Sequence, residues 1–302
     1  TKTRTKTAPN TTMLLSAAVV AFSPAPADTT FEISKGVHMP AILLGTGYMP
    51  PTDCIPQPEC GYAWQNATVQ PMVKAWIETG ARGIDTAAVY QDQRGISAAI
   101  EASGVPRSEI FILTKIPGVM NYSTATALLN EDFEKLGGEP LDTVISHWCD
   151  TNSQHPPPSG FECTEKHIAD TWRALEDFYK AGKARSIGVS NYCLKHMRIL
   201  MESATIKPHL HQIERSPYYK QHAMVQYCQE QGIHLQAYAP LNDADHQSGS
   251  GPPANAMLGD DALVALAAAH NATPAQVALQ WLVQAGHSAT PRVGGPGRTM
   301  PN

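Results

Sequence analysis

From residue 31 onward the apolar positions keep two rhythms that take turns. Short continuous runs rich in β-branched and aromatic residues fall at 82–85, 109–115 ("EIFILTK"), 141–148 ("LDTVISHW"), 184–190 ("ARSIGVS"), 209–214 and 233–241 ("IHLQAYAPL"). Such runs predict buried strands. Between them lie stretches with apolar residues three and four apart, at 68–80, 93–104, 123–137, 164–183, 193–204, 218–232 and 260–286. That spacing predicts amphipathic helices. The helix at 123–137 opens on a Ser and closes on Gly, and the last one is expected to break at Asn271–Pro274. Ahead of this series, 31–47 predicts a short hairpin feeding an apolar strand, and 49–65 predicts a Pro- and Cys-rich loop.

Strand and helix alternate with no stretch resembling a domain linker, which predicts βαβ units and parallel strands. A Gly-rich dinucleotide fingerprint after the first strand is absent, which weighs against a doubly wound sheet. The expected fold is therefore α/β, a (β/α)8 TIM barrel over residues 31–302. Its eighth strand, "HSAT" at 287–290, lacks an apolar run. The sequence stops at Asn302, before an eighth helix and a C-terminal loop, so the barrel is expected to be C-terminally truncated.

Composition narrows the function classes. With 42% hydrophobic and 16% charged residues in 302, the chain can bury a large core. A net charge of −5 with scattered basic residues gives no footprint for nucleic acid. No stretch is long and apolar enough for a membrane helix, so no membrane partner is expected, and a monomer is. Residues 1–30 form a separate leader. Lys2, Arg4 and Lys6 precede the apolar run 13–22 and the small residues 25–27, the layout of a secretory signal peptide. "VAFSPAP" also resembles the cleavage site of algal plastid presequences. The expected destination is the secretory pathway or a plastid, otherwise the cytoplasm. Cys54/Cys60 and Cys149/Cys163 flank Pro-rich stretches and could pair in an oxidising compartment or stay as thiols. His209 and His211 alternate on a strand, but no third ligand is placed with them, so no metal site is expected.

A parallel barrel carries its chemistry at the C-terminal ends of its strands. Asp85 ends one strand and Tyr90 follows in its loop; Lys115 and His147 end the next two. Taken singly, these suggest a helix cap, a packing tyrosine, a solvated charge and a core histidine. Together they make one device. Tyrosine is a poor acid at neutral pH. A lysine beside the phenol favours the phenolate, an aspartate holds the lysine charged, and a histidine can orient a carbonyl. Tyr90 would then protonate a carbonyl oxygen as a hydride reaches its carbon.

Six segments carry a family resemblance: "GIDTAAVY", "LTK", "SHW", "KARSIGVSNY", "HQIERSPY" and "LQAYAPL", in that order. By them the chain resembles the aldo-keto reductases across most of 31–302. The resemblance implies an NADPH-dependent enzyme of the alcohol dehydrogenase (NADP+) type, reducing small carbonyl substrates. Asp85, Tyr90, Lys115 and His147 match the catalytic tetrad. Ser190, Asn191 and Gln212 match side chains that grip the nicotinamide carboxamide, and Tyr238 matches the aromatic stacked on the ring. Thr46, Leu241, Asp245, Arg292, Arg298 and Asn302 fall at further cofactor positions, the two arginines at the adenosine 2′-phosphate. Tyr48 and Trp148 match substrate-pocket aromatics. The chain departs from the pattern at Gly47, where an aromatic is usual and whose absence is expected to open one pocket wall. It departs again at Ala239, in place of a serine, and at "YQDQ" (90–93), in place of a segment ending in an acid. A non-catalytic NADPH-binding or regulatory protein on the same fold, or an inactive fragment, is the alternative.

Overall fold

A computed structural model describes residues 29–47, 59–149, 163–242 and 256–292. Its centre is one sheet of eight parallel strands in chain order: β3 (Leu44–Gly45), β4 (Gly83–Asp85), β5 (Phe111–Ile116), β6 (Thr143–Ser146), β7 (Ile187–Ser190), β8 (Leu210–Glu214), β9 (His234–Tyr238) and β10 (Ser288–Thr290). Parallel bridges Ile42↔Ala289 and Gly45↔Arg292 join the last strand back to the first. Backbone bonds Leu43 N–H to Ala289 O (2.9 Å), Ala289 N–H to Ala41 O (2.8 Å) and Gly45 N–H to Pro291 O (3.0 Å) seal the join. The apolar-poor eighth strand thus completes a (β/α)8 barrel. The join is made by backbone, and a Cβ on Gly45 would lie only 3.1–3.3 Å from Thr290 and Pro291. Small residues therefore suit the join better than an apolar run would.

The hairpin β1 (Thr30–Ser34) and β2 (Val37–Pro40) precedes the barrel, with Gly36 left-handed in its turn. Ile33, Val37 and Met39 of the hairpin pack with Leu43, Phe111, Leu113, Ile145 and Leu210. It thereby plugs the end of the barrel opposite the strand C-termini.

Among the described residues eight helices follow: α1 (Glu59–Glu78), α2 (Gln93–Ser103), α3 (Tyr122–Lys135), α4 (Glu165–Lys180), α5 (Leu194–Ser203), α6 (His222–Gln231), α7 (Asp261–Ala269) and α8 (Pro274–Gln284). Most match their expected spans within a few residues. α1 does not: it starts at Glu59, inside the expected loop, and runs through Pro71. The expected break at Asn271–Pro274 is an 86° bend between α7 and α8. Asn271 is left-handed there, and Thr273 and Gln276 form a reciprocal capping box that starts α8. Among the described residues no single helix is long and apolar enough to cross a membrane. The main core lies between sheet and helices, around Ile84, Ile112, Leu129, Trp172, Leu175 and Leu200.

Candidate active site

The strand C-termini bring the expected side chains to one rim. Asp85 is the last residue of β4, Lys115 lies near the end of β5, and His147 follows β6. Tyr90 closes a 3-10 turn, Ala88–Tyr90, after β4. All three strand-end groups are nearly inaccessible, Lys115 at 1% exposure. Burial at that level is tolerable for an ammonium only when it is paired. Lys115 Nζ donates to Asp85 Oδ1 and, at 2.8 Å, to the Thr86 carbonyl. It also lies over the Tyr90 ring, whose centroid is 5.0 Å from Nζ. The Tyr90 ring meets His147 edge-on at 5.7 Å, and His147 stacks on Trp148 at 3.4 Å.

Electrostatics follow from this packing. Burial pulls the Lys115 ammonium down, but Asp85 and Tyr90 more than offset it, so its pKa rises. Burial pushes the Asp85 carboxyl up, against Lys115 and Gln212. Lys115 is the proton-rich member of the pair. Burial also pushes the Tyr90 phenol up, and the Lys115 charge pulls it back only in part. The lysine thus acts in the expected direction, yet desolvation is the larger effect.

Across the rim, Asn191 links three strand ends. Its Nδ2 donates to the His147 carbonyl and to Ser190 Oγ, both at 3.0 Å, and its Oδ1 accepts from Tyr238 Oη at 2.8 Å. Gln212 Nε2 donates to Asp85 Oδ2 (2.5 Å) and Gln236 Oε1 (2.7 Å). Its amide is therefore tied to the tetrad aspartate, a link the sequence did not suggest. Thr46 is fully buried and bonds the Asp85 carbonyl, its N–H at 3.0 Å and its hydroxyl at 3.2 Å. Leu241 is half-buried in the turn after β9. Arg292 Nη1 donates to the Gly47 carbonyl at 3.1 Å, across the barrel join. Tyr48, Asp245, Arg298 and Asn302 lie outside the described residues.

Gly47 has a packing reason. A Cβ there would sit 2.8 Å from Cζ of Tyr90. The Tyr90 ring lies directly beside the glycine, so a larger side chain there would have to displace it. Gln91, Asn191 and Ala239 are non-glycine residues in left-handed conformation, each directly after a site residue. Such strain concentrates where side chains must be aimed.

A buried acid beneath the rim escaped the sequence reading. The left-handed Gln91 turns the chain back so that Asp92 Oδ1 accepts from Thr86 Oγ1 at 2.5 Å. Burial pushes Asp92 to about 7, against Thr46 and Thr86. Gln93 donates to Asp132 at 2.9 Å, and Thr114 donates to the same carboxylate at 2.5 Å. The "YQDQ" departure is the signal that could have pointed here. Cys149 and Cys163 form a disulfide, which ties the residue after Trp148 to the start of α4. Cys54 lies outside the described residues. His209 and His211 are structural, accepting from the backbone N–H groups of Ile187 and Tyr192.

A parallel (β/α)8 barrel with a buried lysine between an aspartate and a tyrosine defines a class of oxidoreductase site. Residues 59–300 match the Aldo/keto reductase family, and the chain belongs to it. It is 37% identical over 265 residues to the glyoxal reductase of Bacillus subtilis, covering 87% of this chain and 82% of that protein. It is 34% identical to the 9,11-endoperoxide prostaglandin H2 reductase of Trypanosoma cruzi, covering 80% and 77%. An aldo/keto reductase structure from Brucella melitensis superposes with a TM-score of 0.72 at 25% identity, covering 89% of each chain. The chain is an oxidoreductase acting on carbonyl compounds with a nicotinamide cofactor.

Proposed function

We propose that this chain is an NADPH-dependent reductase of small aldehydes and ketones, with Tyr90 as the proton donor. The observation that carries the reading is the buried Lys115, held by Asp85 and the Thr86 carbonyl with its ammonium over the Tyr90 ring. The donor set fits a carboxamide: a Ser190 hydroxyl, the Asn191 amide, the Gln212 carbonyl oxygen and the flat Tyr238 ring lie on adjacent strand ends. When bound, the nicotinamide cofactor supplies the hydride.

The chain's own residues do the rest. His147, stacked on Trp148, faces the edge of Tyr90 and can donate to a substrate oxygen placed between them. Tyr90 gives its Oη proton to that oxygen. Lys115 stabilises the phenolate left behind, and Asp85 keeps Lys115 charged and fixed. Burial excludes water, so these charges act with little screening. The Cys149–Cys163 disulfide favours an oxidising compartment such as the secretory route.

NADPH rather than NADH is favoured by Arg292, because a guanidinium can bind a phosphate through two N–H groups. The Gly47 carbonyl anchors it on the rim. Fluorescence titration tests this directly. Arg292→Ala should weaken NADPH by about 1.5–3 kcal/mol, the scale of a charge-assisted bond, and leave NADH nearly unchanged. Equal weakening of both cofactors would place Arg292 away from the phosphate. A protein that binds NADPH yet reduces no aldehyde would favour the non-catalytic alternative.

A further inference from the structure

Three metal-type donors meet at the catalytic end of the barrel, apart from the rim residues. Cys149 lies just past β6, Cys163 just before α4, and His196 in the first turn of α5. The two sulfurs and a ring nitrogen of His196 all lie within 4.8 Å of one another. Among the described residues this is the one such group of three. The two free cysteines make the contrast. Cys193 is exposed, and Cys228 meets a single buried imidazole, His211, at 3.6 Å.

Joined in a disulfide, the two sulfurs offer no charge to a cation. Reduction would place two thiolate ligands beside one imidazole. A tetrahedral zinc-type ion holds sulfur at about 2.3 Å and nitrogen at about 2.0–2.1 Å, so its donors sit roughly 3.5–3.8 Å apart. With no pair in this group beyond 4.8 Å, side-chain rotations of about 1 Å suffice. The cysteine Cα atoms are 5.2 Å apart, close enough for both sulfurs to reach one ion. Two sulfurs and a nitrogen select a borderline-soft ion over magnesium or calcium, which take oxygen. Cys149 is buried, while the half-buried Cys163 and His196 give the ion a way in. The helices α4 and α5 both begin here, and helix N-termini favour thiolates.

We propose that Cys149, Cys163 and His196 form a redox-gated site for a zinc-type divalent cation, available only when their disulfide is reduced. The reductant is a dithiol. Its thiolate attacks the half-buried Cys163 sulfur and expels Cys149 as a thiolate. Its second thiol then closes the reductant's own disulfide and frees Cys163. Two electrons and two protons pass from the dithiol to the protein. The ion binds the two sulfurs and the imidazole, releases both thiol protons to water, and keeps a water in its fourth position. A sulfur–metal–sulfur link thus replaces the disulfide between the end of β6 and the start of α4. Cys149 follows Trp148, which stacks on His147 at 3.4 Å, so the exchange takes place beside the rim.

The full chain is reduced with a dithiol, freed of it under argon, and titrated with cobalt(II), whose spectrum reports its ligands, then with zinc. The reduced native protein should take up one equivalent of cobalt at this site, with a sulfur-to-metal charge-transfer band and intense tetrahedral visible bands. Zinc should displace both and recover part of the melting temperature lost on reduction. The oxidised protein should show none of this. Cys163→Ser should lose the charge-transfer intensity, but it also lacks the disulfide and so folds less stably. His196→Gln is the second variant, because it keeps the disulfide. Once reduced, it should bind cobalt at least about tenfold more weakly, since even groups that only hydrogen-bond a metal's ligands are worth that much. Cys193→Ser should behave as the native protein. Equal cobalt spectra from the oxidised protein, native-like binding in Cys163→Ser or His196→Gln, loss of binding in Cys193→Ser, or no uptake by the reduced native protein would overturn the proposal.

Discussion

Asp92 shows what a single residue adds to this site. It is fully buried against Thr86, whose carbonyl holds Lys115. Its carboxyl is raised from 3.8 to about 7 by burial. A raised folded-state pKa means that stability is fully present below the unfolded value and lost as pH rises through the folded one. Between pH 4 and 7 this one group should cost about 4 kcal/mol, at about 1.4 kcal/mol per unit. Asp132, raised to about 6, acts in the same direction. Asp92→Asn should therefore gain stability over the native protein steadily from pH 4 to pH 7 in denaturant titrations. A constant offset across that range would show that Asp92 is ionised throughout. The rim placement of Asp85, Lys115 and His147 was legible because each lies at or beside the end of a recognisable strand, with Tyr90 in the turn after the first of them. Asp92 was not, because its burial depends on a left-handed Gln91, which no periodicity reveals. The Gln212–Asp85 bond was hidden too, since it joins side chains 127 positions apart.

At the scale of elements, the alternation of rhythms located every barrel strand and most helices. It failed where tertiary contact overrides local preference. β10 needs no apolar run because backbone bonds to residues 41–45 complete it. α1 starts early, at Glu59 inside the expected loop 49–65, and runs through Pro71. The disulfide was only one of two open readings, because pairing requires Cα atoms brought close, here to 5.2 Å. It closes a 14-residue separation next to the active-site Trp148. Cross-links of that size are worth about 3 kcal/mol. Dithiothreitol should lower the denaturant midpoint of the native protein and leave Cys163→Ser, already weakened, unchanged. An identical response in both proteins would show that the disulfide does not support the fold. α8 offers a smaller check: Thr273→Ala removes its capping box and should cost about 1 kcal/mol.

The molecule as a whole is a closed barrel plugged by a hairpin at one end and carrying its chemistry at the other. Its α7 is an apolar helix of which only Ala267 is buried. Val264 and Leu266 are 44% and 46% exposed. Exposed apolar surface favours association. Leu266→Glu should reduce concentration-dependent self-association in sedimentation; no change would show that α7 does not drive it. On the proposed function, the barrel aims one proton, from Tyr90 to a carbonyl oxygen. The turnover of Tyr90→Phe, measured with NADPH and a small aldehyde alongside NADPH affinity, tests it most directly. Cofactor affinity should be unchanged and turnover should fall by a factor on the order of 10² or more, the scale of general acid catalysis. Near-native turnover in that variant would contradict it.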